Sequence, residues 1–190
     1  RGETAERDQR FCEALCARLA IPFYTESADV PKYAKQHGQS PEQAAREVRY
    51  AFLARAKERF DADVIATAHH MDDQAETLLM HLIRGSGSTG LCGMQPRNGD
   101  LIRPMLGKDR SQILSFLSAR GETYCEDETN ADTFATRNRI RHELLPMLKT
   151  MNPSIVQSLS KTAELIASDE ALLTELADEA EDVISRDCGL

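Results

Sequence analysis

The fold class of this chain is decided by the segment Val64-Ile65-Ala66-Thr67-Ala68-His69-His70-Met71-Asp72-Asp73-Gln74-Ala75-Glu76-Thr77. Its apolar start predicts a buried β-strand, and the helical periodicity of residues 72–84 predicts an α-helix directly after it. Because strands buried on both faces are typical of parallel sheets, we expect residues 63–69 to form a central parallel strand. Ligands of α/β sheets bind beyond the carboxyl ends of the strands, where the next helix offers free N–H groups. The segment therefore predicts a polar site.

Two of the ionisable residues at this junction, His70 and Glu76, each allow two interpretations. His70 is placed either to donate to a phosphate oxygen or to orient Asp73, or simply to bond backbone at the end of a strand. We expect Asp72 to be the N-cap of the helix. Glu76 either complements the helix dipole or supports the site from behind.

Strand and helix candidates alternate along residues 1–130, which predicts an α/β fold with a parallel sheet and flanking helices. Helices are predicted near residues 1–19, 40–60, 72–84 and 109–120 and from 135 onward, with short extended pieces at 21–25, 64–68, 101–104 and 123–125. Residues 30–39 are predicted to be a loop, and the glycine-rich residues 85–100 a long functional loop. So few strands cannot complete a parallel sheet, and we expect part of the sheet to lie outside the chain.

The pattern changes after Pro153, where leucines follow one helical seam and no strand is visible. We therefore divide the chain into residues 1–150, a partial nucleotide-binding domain, and residues 151–190, a helical linker or the start of a second domain. The net charge of −8 is uneven as well. Residues 151–190 carry −7 of it, so any nucleic acid is expected to avoid this segment.

Composition excludes several classes of protein. With 41% hydrophobic and 28% charged residues the chain resembles an ordinary globular protein. No apolar run is long enough to span a bilayer and no signal peptide opens the chain, so we expect no membrane association. Five cysteines without a C-x-x-C pair argue against a disulfide framework or an iron–sulfur site. They are consistent with the cytoplasm.

Four motifs in order resemble the tRNA(Ile)-lysidine synthetases. They are residues 68–77, Arg84-Gly85-Ser86-Gly87 with Gly90-Leu91, Ile102-Arg103-Pro104, and Arg137-Asn138-Arg139-Ile140-Arg141. The helix with Arg46, Arg49 and Tyr50 also resembles that family. The similarity implies an N-type ATP pyrophosphatase domain that uses ATP and Mg²⁺. It would adenylate the C2 oxygen of the wobble cytidine in an isoleucine tRNA, after which the amine of L-lysine displaces AMP to give lysidine.

The resemblance also implies roles for individual residues. Asp73, His70 and Arg137 are expected to be catalytic, and Asp73 to hold Mg²⁺ through oxygen ligands. Gly85, Gly87 and Arg46 are expected to bind ATP or its phosphates, and Arg139, Arg141 and Arg103 to bind tRNA. Arg137 and Arg141 are four residues apart and thus share a helix face. We expect both to point toward Asp73, whereas the alternative is a solvated basic face.

One family motif is missing. The phosphate-binding sequence Ser-Gly-Gly-x-Asp-Ser is absent, and no Gly-Gly pair occurs before residue 60. We therefore expect the domain to be incomplete at its N-terminus. Family members also usually carry further C-terminal domains.

Three other functions are left open. A related tRNA sulfur-transfer enzyme would share the ATP chemistry, although such an enzyme is expected to contain C-x-x-C. A metal-dependent hydrolase would need more histidine or aspartate ligands than His69-His70-x-Asp72-Asp73 supplies. A non-catalytic tRNA-binding piece would keep only the basic residues. The expected partners are tRNA(Ile) and the co-substrate L-lysine, and a homodimer is left open.

Overall fold

The computed structural model describes residues 3–125 and 136–188. The chain forms two compact units, Arg1–Ile65 with Tyr124–Glu126, and Ala66–Thr123 with Asp127–Leu190. The division does not fall at the predicted boundary near Met151. Instead, the helix after Pro153 belongs to the second unit.

The first unit contains three helices, α1 (Glu3–Arg18), α2 (Val30–His37) and α3 (Pro41–Arg59). The N-cap predicted for α3 is confirmed, because the Ser40 hydroxyl accepts a hydrogen bond from the Gln43 amide at 3.2 Å. The loop predicted over residues 30–39 is wrong. Asp29 caps a helix there by accepting the Lys32 amide at 3.0 Å, and Gly38 ends it with φ of +63°. Proline in the first turn and glycine after the last are ordinary helix boundaries rather than loop signals.

The strand predicted over residues 21–25 is also wrong, since no strand forms there. Instead, the Tyr24 ring stacks on Phe52 with a centroid distance of 5.4 Å. The guanidinium of Arg59 lies 4.7 Å above the same ring. An extended segment becomes a strand only when a neighbouring strand pairs with it, and here its aromatic side chain packs on a helix instead.

A small sheet has the strands β1 (Ile65–Ala66), β2 (Arg97–Asn98) and β3 (Leu101–Ile102) in the order β1-β3-β2, and β2 and β3 belong to the second unit. β2 and β3 are antiparallel and pair Arg97 with Ile102. The hairpin turns at Gly99, whose φ of +61° favours glycine. The expectation that residues 63–69 form a central strand is wrong for the described sheet, because β1 is an edge strand. β1 is at its edge, where Thr67 donates its amide to Ile102 at 3.0 Å.

The remaining elements of the second unit are helical. They are α4 (Met71–Ile83), α5 (Ser88–Leu91), α6 (Arg110–Ala119), α7 (Thr136–Arg139), a π-helical turn (Ile140–Leu144), α8 (Leu145–Met151) and α9 (Ile155–Cys188). The predicted start of α6 is confirmed, since Asp109 and Gln112 form a reciprocal capping box. The predicted extended piece at residues 123–125 is not a strand. The acidic residues 126–130 and the predicted start of the basic helix at Ala135 lie outside the described residues.

The core of this unit forms around α4. Its buried residues come from α4, the π-helical turn and the starts of α8 and α9, namely Ala75, Leu79, Met80, Ile140, Leu145 and Val156. Farther along, α9 leaves leucines exposed at positions 165, 172, 173 and 176. None of the described helices is long and apolar enough to cross a membrane.

The loop after α4 is fixed to the core by one buried amide. The side chain of Gln74 donates to the Met94 carbonyl at 3.1 Å and accepts the Met94 amide at 2.7 Å. Gly93, with φ of +62°, approaches so closely that a Cβ there would lie 2.8 Å from the Gln74 oxygen. The second half of the predicted flexible loop is thus held in place by paired polar groups.

Replacing Gln74 with leucine should destabilise the protein by about 2–3 kcal/mol, because two partly buried backbone groups of Met94 lose their partners. Urea unfolding followed by circular dichroism measures the change. Gln157→Leu is the matched control, since Gln157 is exposed and makes one 3.3 Å hydrogen bond to Asp109. The control should stay within about 0.5 kcal/mol of the wild type. Equal losses in the two variants would contradict the role of the buried amide.

Candidate active site

The start of α4 places several ionisable side chains in one turn. His70 is in the N-cap position and Met71 donates its amide to the Lys108 carbonyl at 2.8 Å. The Asp73 carboxylate turns back and accepts the His70 amide at 3.0 Å. Asp73 therefore has a fixed orientation, because an acidic residue in the third helical position satisfies a free N–H group of the first turn.

Asp72 is not the N-cap of α4 as predicted. Its carboxylate accepts the Arg110 amide at 2.9 Å, at the start of α6, and lies 3.5 Å from the ammonium group of Lys149. The second helical position points away from the helix end, which leaves the side chain free to bind elsewhere. Asp72 thus connects α4 to the positive end of α6.

Glu76 is the centre of the site, and of its two predicted roles the structure favours support of the site over compensation of the helix dipole. Its side chain is only 2% exposed and is held by two arginines. Arg137 donates through Nε to Oε2 at 3.0 Å. Arg141 donates through Nε to Oε1 at 2.6 Å and through Nη2 to Oε2 at 2.9 Å. The predicted convergence of Arg137 and Arg141 on this helix is confirmed, and the solvated basic face is excluded for both.

Arg141 joins two acidic residues of α4. Besides Glu76, its Nη2 lies 3.3 Å from Oδ1 of Asp73. The hydrogen bonds with Glu76 raise the pKa of Arg141, as do the charges of Glu76, Asp73 and Asp72. Asp73 and Glu76 are three residues apart, so they share one face of the helix. This spacing is the signal by which the sequence could have identified Glu76.

Arg137 is less fully engaged than Arg141. Its Nη2 donates to the Thr77 hydroxyl at 2.9 Å, and that hydroxyl donates to the Asp73 carbonyl at 2.8 Å. In the described part of the chain, Nη1 of Arg137 has no hydrogen-bond partner. The side chain is 35% exposed. One edge of this guanidinium is therefore oriented by α4 while another is open to an anion.

The His70 ring lies against both aspartates. Its Nε2 is 3.5 Å from Oδ2 of Asp73, and its Nδ1 is 3.8 Å from Oδ2 of Asp72. Nδ1 is buried and lacks a hydrogen-bond partner among the described residues. Both distances exceed that of a good hydrogen bond, so the ring is positioned beside the carboxylates without being locked to either. His69, by contrast, bonds to the Thr67 hydroxyl at 2.9 Å.

The other predicted site residues are more scattered. Gly85 and Gly87 follow α4, and a Cβ at either position would meet nothing within 4 Å. Arg139 is exposed and pairs with Glu143 at 3.3 Å. Arg46 is in the first unit, above the Tyr50 ring at 4.9 Å. Arg103 is only 8% exposed, and this burial argues against the predicted contact with tRNA.

The described residues do not fit a Mg²⁺ ion at Asp73. One of its oxygens accepts the His70 amide and the other faces the guanidinium of Arg141, which excludes a cation from the same position. No group of three or more His, Cys, Asp or Glu side chains suited to a metal ion occurs in residues 3–125 and 136–188. Phosphate fits better, at the open edge of Arg137.

Comparison with known proteins identifies the family. Residues 2–148 match the PP-loop domain. The chain belongs to the PP-loop domain family. The tRNA(Ile)-lysidine synthase of Geobacter sulfurreducens is 44% identical over 95% of this chain and 39% of its own length. That of Bacteroides thetaiotaomicron is 41% identical over 95% of this chain and 42% of its own length. The resemblance inferred from the motifs is confirmed.

A solved structure supports the fold. The U34-tRNA thiolase NcsA from Methanococcus maripaludis with its [4Fe-4S] cluster aligns with 85% of this chain and 58% of its own, with a TM-score of 0.68. Its sequence identity of 16% limits the comparison to the fold. The present chain spans about two fifths of the length of these two curated relatives, 39% and 42%.

Glu76→Gln should destabilise the protein by about 2–4 kcal/mol, because it removes the negative charge that compensates two guanidinium groups and replaces one acceptor oxygen with an NH2 donor. Glu143→Gln is the matched control, since it removes the partner of the exposed Arg139. The control should change stability by no more than about 0.5 kcal/mol. Chemical denaturation of both variants measures the difference, and a Glu76 variant as stable as the control would refute the structural role of Glu76.

Proposed function

We propose that the protein is the ligase that converts the wobble cytidine of an isoleucine tRNA to lysidine. In the first step the cytidine C2 oxygen attacks the α-phosphorus of ATP and pyrophosphate leaves. In the second step an amine of L-lysine attacks C2, AMP leaves and the amine gives up a proton. The observation that carries the proposal is the guanidinium of Arg137, which Glu76 and Thr77 hold through Nε and Nη2 while Nη1 is available to an anion. The curated relatives of the chain are lysidine synthases.

Arg137 would bind the phosphates of ATP. Its Nε and Nη2 are fixed by Glu76 and Thr77, so Nη1 can face an anion without a further loss of side-chain freedom. A preoriented guanidinium stabilises negative charge that develops as pyrophosphate leaves. Asp73 and His70 would stand beside the reacting groups, and Gly85 and Gly87 offer backbone that a nucleotide can approach.

The basic residues divide into two roles. Arg139 is 66% exposed and can reach a tRNA phosphate. Arg141 is 28% exposed and bound to Glu76 and Asp73, so we assign it to positioning these carboxylates rather than to tRNA. Arg46, on a helix of the first unit, remains a proposed phosphate contact. The acidic segment 151–190 would repel the tRNA backbone.

Mg²⁺ would enter with ATP as the counter-ion of its phosphates. Asp73 could be one of its ligands only if Arg141 released Oδ1.

We also propose that the protein works in the cytoplasm. A phosphate-binding loop supplied by a preceding segment would complete the nucleotide site.

The alternatives receive less support. A sulfur-transfer enzyme of the same fold would need cysteine ligands for its cluster, whereas the chain has no C-x-x-C pair and its described residues contain no metal-binding group. The same observation argues against a metal-dependent hydrolase. A purely tRNA-binding piece would not need Arg137 and Arg141 ordered by a buried carboxylate. Lysidine formation from tRNA(Ile), ATP and L-lysine by the full-length gene product, followed by mass spectrometry of nucleosides, tests the proposal.

Arg137→Gln in the full-length protein should lower turnover on the order of a hundredfold at saturating tRNA, as expected for losing one preoriented electrostatic group. Pyrophosphate release measures the effect. Arg139→Gln is the control, because it removes an exposed charge of the same helix. This control should keep its turnover, bind tRNA more weakly and reduce the slope of the salt dependence by about one. Normal turnover of the Arg137 variant would remove Arg137 from the phosphate site.

Asp73→Asn should also lower adenylate formation on the order of a hundredfold, since it removes the charge but keeps an oxygen that can accept the His70 amide. The fold should therefore survive, as checked by circular dichroism. Asp29→Asn makes the same change at the helix cap of α2 and should leave activity intact. If both variants are equally active, Asp73 has no part in the reaction.

A further inference from the structure

Glu170 of α9 is a carboxylate that the proposed reaction does not use. Its Oε1 accepts a hydrogen bond from the Thr89 hydroxyl at 2.5 Å, across 81 positions of the chain. Hydrogen bonds from the hydroxyls of Thr89 and Ser88 lower the pKa of Glu170, so the carboxylate is charged at neutral pH. Through this charge, α9 holds the glycine loop (residues 85–93) that follows α4.

The glycine loop is also attached to the end of α4. The Ser86 amide donates to the His81 carbonyl at 3.0 Å, and Nδ1 of His81 donates to the Gly90 carbonyl. Ser86 and Gly90 approach so closely that a Cβ on Gly90 would lie 2.6 Å from the Cβ of Ser86. The loop is thus folded back on α4, and Glu170 adds an attachment to a second helix.

Gly87 is the position in this loop where glycine has no structural reason. Its φ of −73° is one that any residue can adopt. A Cβ on Gly87 would meet nothing within 4 Å in the described part of the chain. Neither the backbone conformation nor the packing of the described residues therefore requires glycine here. The missing side chain instead leaves the backbone accessible, as the close approach of a ligand needs.

The short helix α5 connects Gly87 to the attachment on α9. The Leu91 amide donates to the Gly87 carbonyl at 3.1 Å, and the Cys92 amide donates to the Ser88 carbonyl at 3.1 Å. Gly87 and Thr89 therefore belong to one helical turn. A single turn is not stable by itself, so its position depends on contacts with other elements, of which the bond from Thr89 to Glu170 is one.

We propose that Glu170 is a positioning residue for nucleotide binding, which acts through the Thr89 hydroxyl to keep the backbone at Gly87 in the orientation that a phosphate of ATP approaches. The assignment rests on the proposed function, because that function supplies the nucleotide. A loop that adopts its binding conformation for only part of the time lowers the apparent affinity by that fraction. Loss of the attachment therefore weakens ATP binding and leaves the chemical step unchanged.

Kinetics of the full-length protein test the proposal. Thr89→Val keeps the shape of the side chain without its donor, and Glu170→Ala removes the acceptor. Each should raise the KM for ATP about tenfold, with the KM for L-lysine and kcat at saturating ATP unchanged. The double variant should be no more impaired than either single variant, because both remove the same interaction. Thr89→Ser keeps the hydroxyl and should restore the wild-type KM.

Two matched controls lie on α9. Glu175→Ala removes an exposed carboxylate, and Thr162→Val removes a hydroxyl that donates to the Ser158 carbonyl at 3.0 Å within the helix. Both should keep the wild-type KM for ATP, and the Tm of every variant should stay within about 2 °C of the wild type. An unchanged KM for ATP in Thr89→Val, or a Thr89→Ser variant equally impaired, would overturn the proposal. A parallel fall of kcat and Tm would also overturn it, since it would indicate a structural role only.

Amide hydrogen exchange of the full-length protein without substrates separates this proposal from the proposed function. Thr89→Val and Glu170→Ala should accelerate exchange of the Leu91 and Cys92 amides about tenfold and leave the amides of α4 unchanged. Equal exchange in wild type and variants would refute the positioning role even in a protein that forms lysidine. If the wild-type protein forms no lysidine, the proposed function fails, and hydrogen exchange alone then decides whether Glu170 positions the loop.

Discussion

The buried carboxylate of Glu76 is the constraint on which the candidate site depends. It lies within the packed face of α4, where a lone charge would be unfavourable, and two guanidinium groups from α7 and the π-helical turn compensate it. The pairing fixes a segment more than 60 residues away in the chain against α4. Arg141 lies in a π-helical turn, a geometry that is frequent at functional sites.

The three carboxylates of the first turns of α4 have different partners. Asp72 binds the start of α6, Asp73 binds its own helix end and Arg141, and Glu76 binds both arginines. Most of the positive charge near α4 is thereby already compensated within the protein. A nucleotide would meet a nearly neutral cluster with one open donor at Arg137, rather than a strongly basic pocket. Such a cluster can orient a phosphate, but binding the full charge of ATP would require further donors, which is consistent with a separate phosphate-binding loop.

The parts of the fold that depend on local sequence could be predicted. The caps at Ser40 and Asp109 and the helix after His70 follow from hydrogen bonds between residues close in the chain. The strands could not, because pairing depends on a distant partner. Residues 21–25 have strand-forming composition, yet Tyr24 packs on Phe52. The helix Val30–His37 has Pro31 in its first turn and Gly38 as its C-cap, and because both residue types are also typical of loops, local composition does not distinguish the two.

The same distinction applies to the site. The four-residue spacing of Arg137 and Arg141 is enough to predict that both side chains extend from the same face of the helix. Their partner Glu76 could have been inferred from its spacing to Asp73 but not from the arginines themselves. For Arg103 the motif suggested a surface contact with tRNA, and only the hairpin that buries it shows otherwise. Burial is set by packing between distant segments, which no local pattern reports.

The arginines of the second unit differ in how far carboxylates within the protein compensate their charge, and this difference indicates their roles. Arg141 has carboxylates on its donors and is therefore part of the structure. Arg139 is exposed and hydrated, so its single ion pair adds little to stability and leaves it able to exchange Glu143 for a phosphate. Arg103 is only 8% exposed, and its Nε has no hydrogen-bond partner among the described residues. Because the value of a counter-charge rises as a cation is less hydrated, removal of the carboxylate partners should cost more at Arg141 than at Arg139.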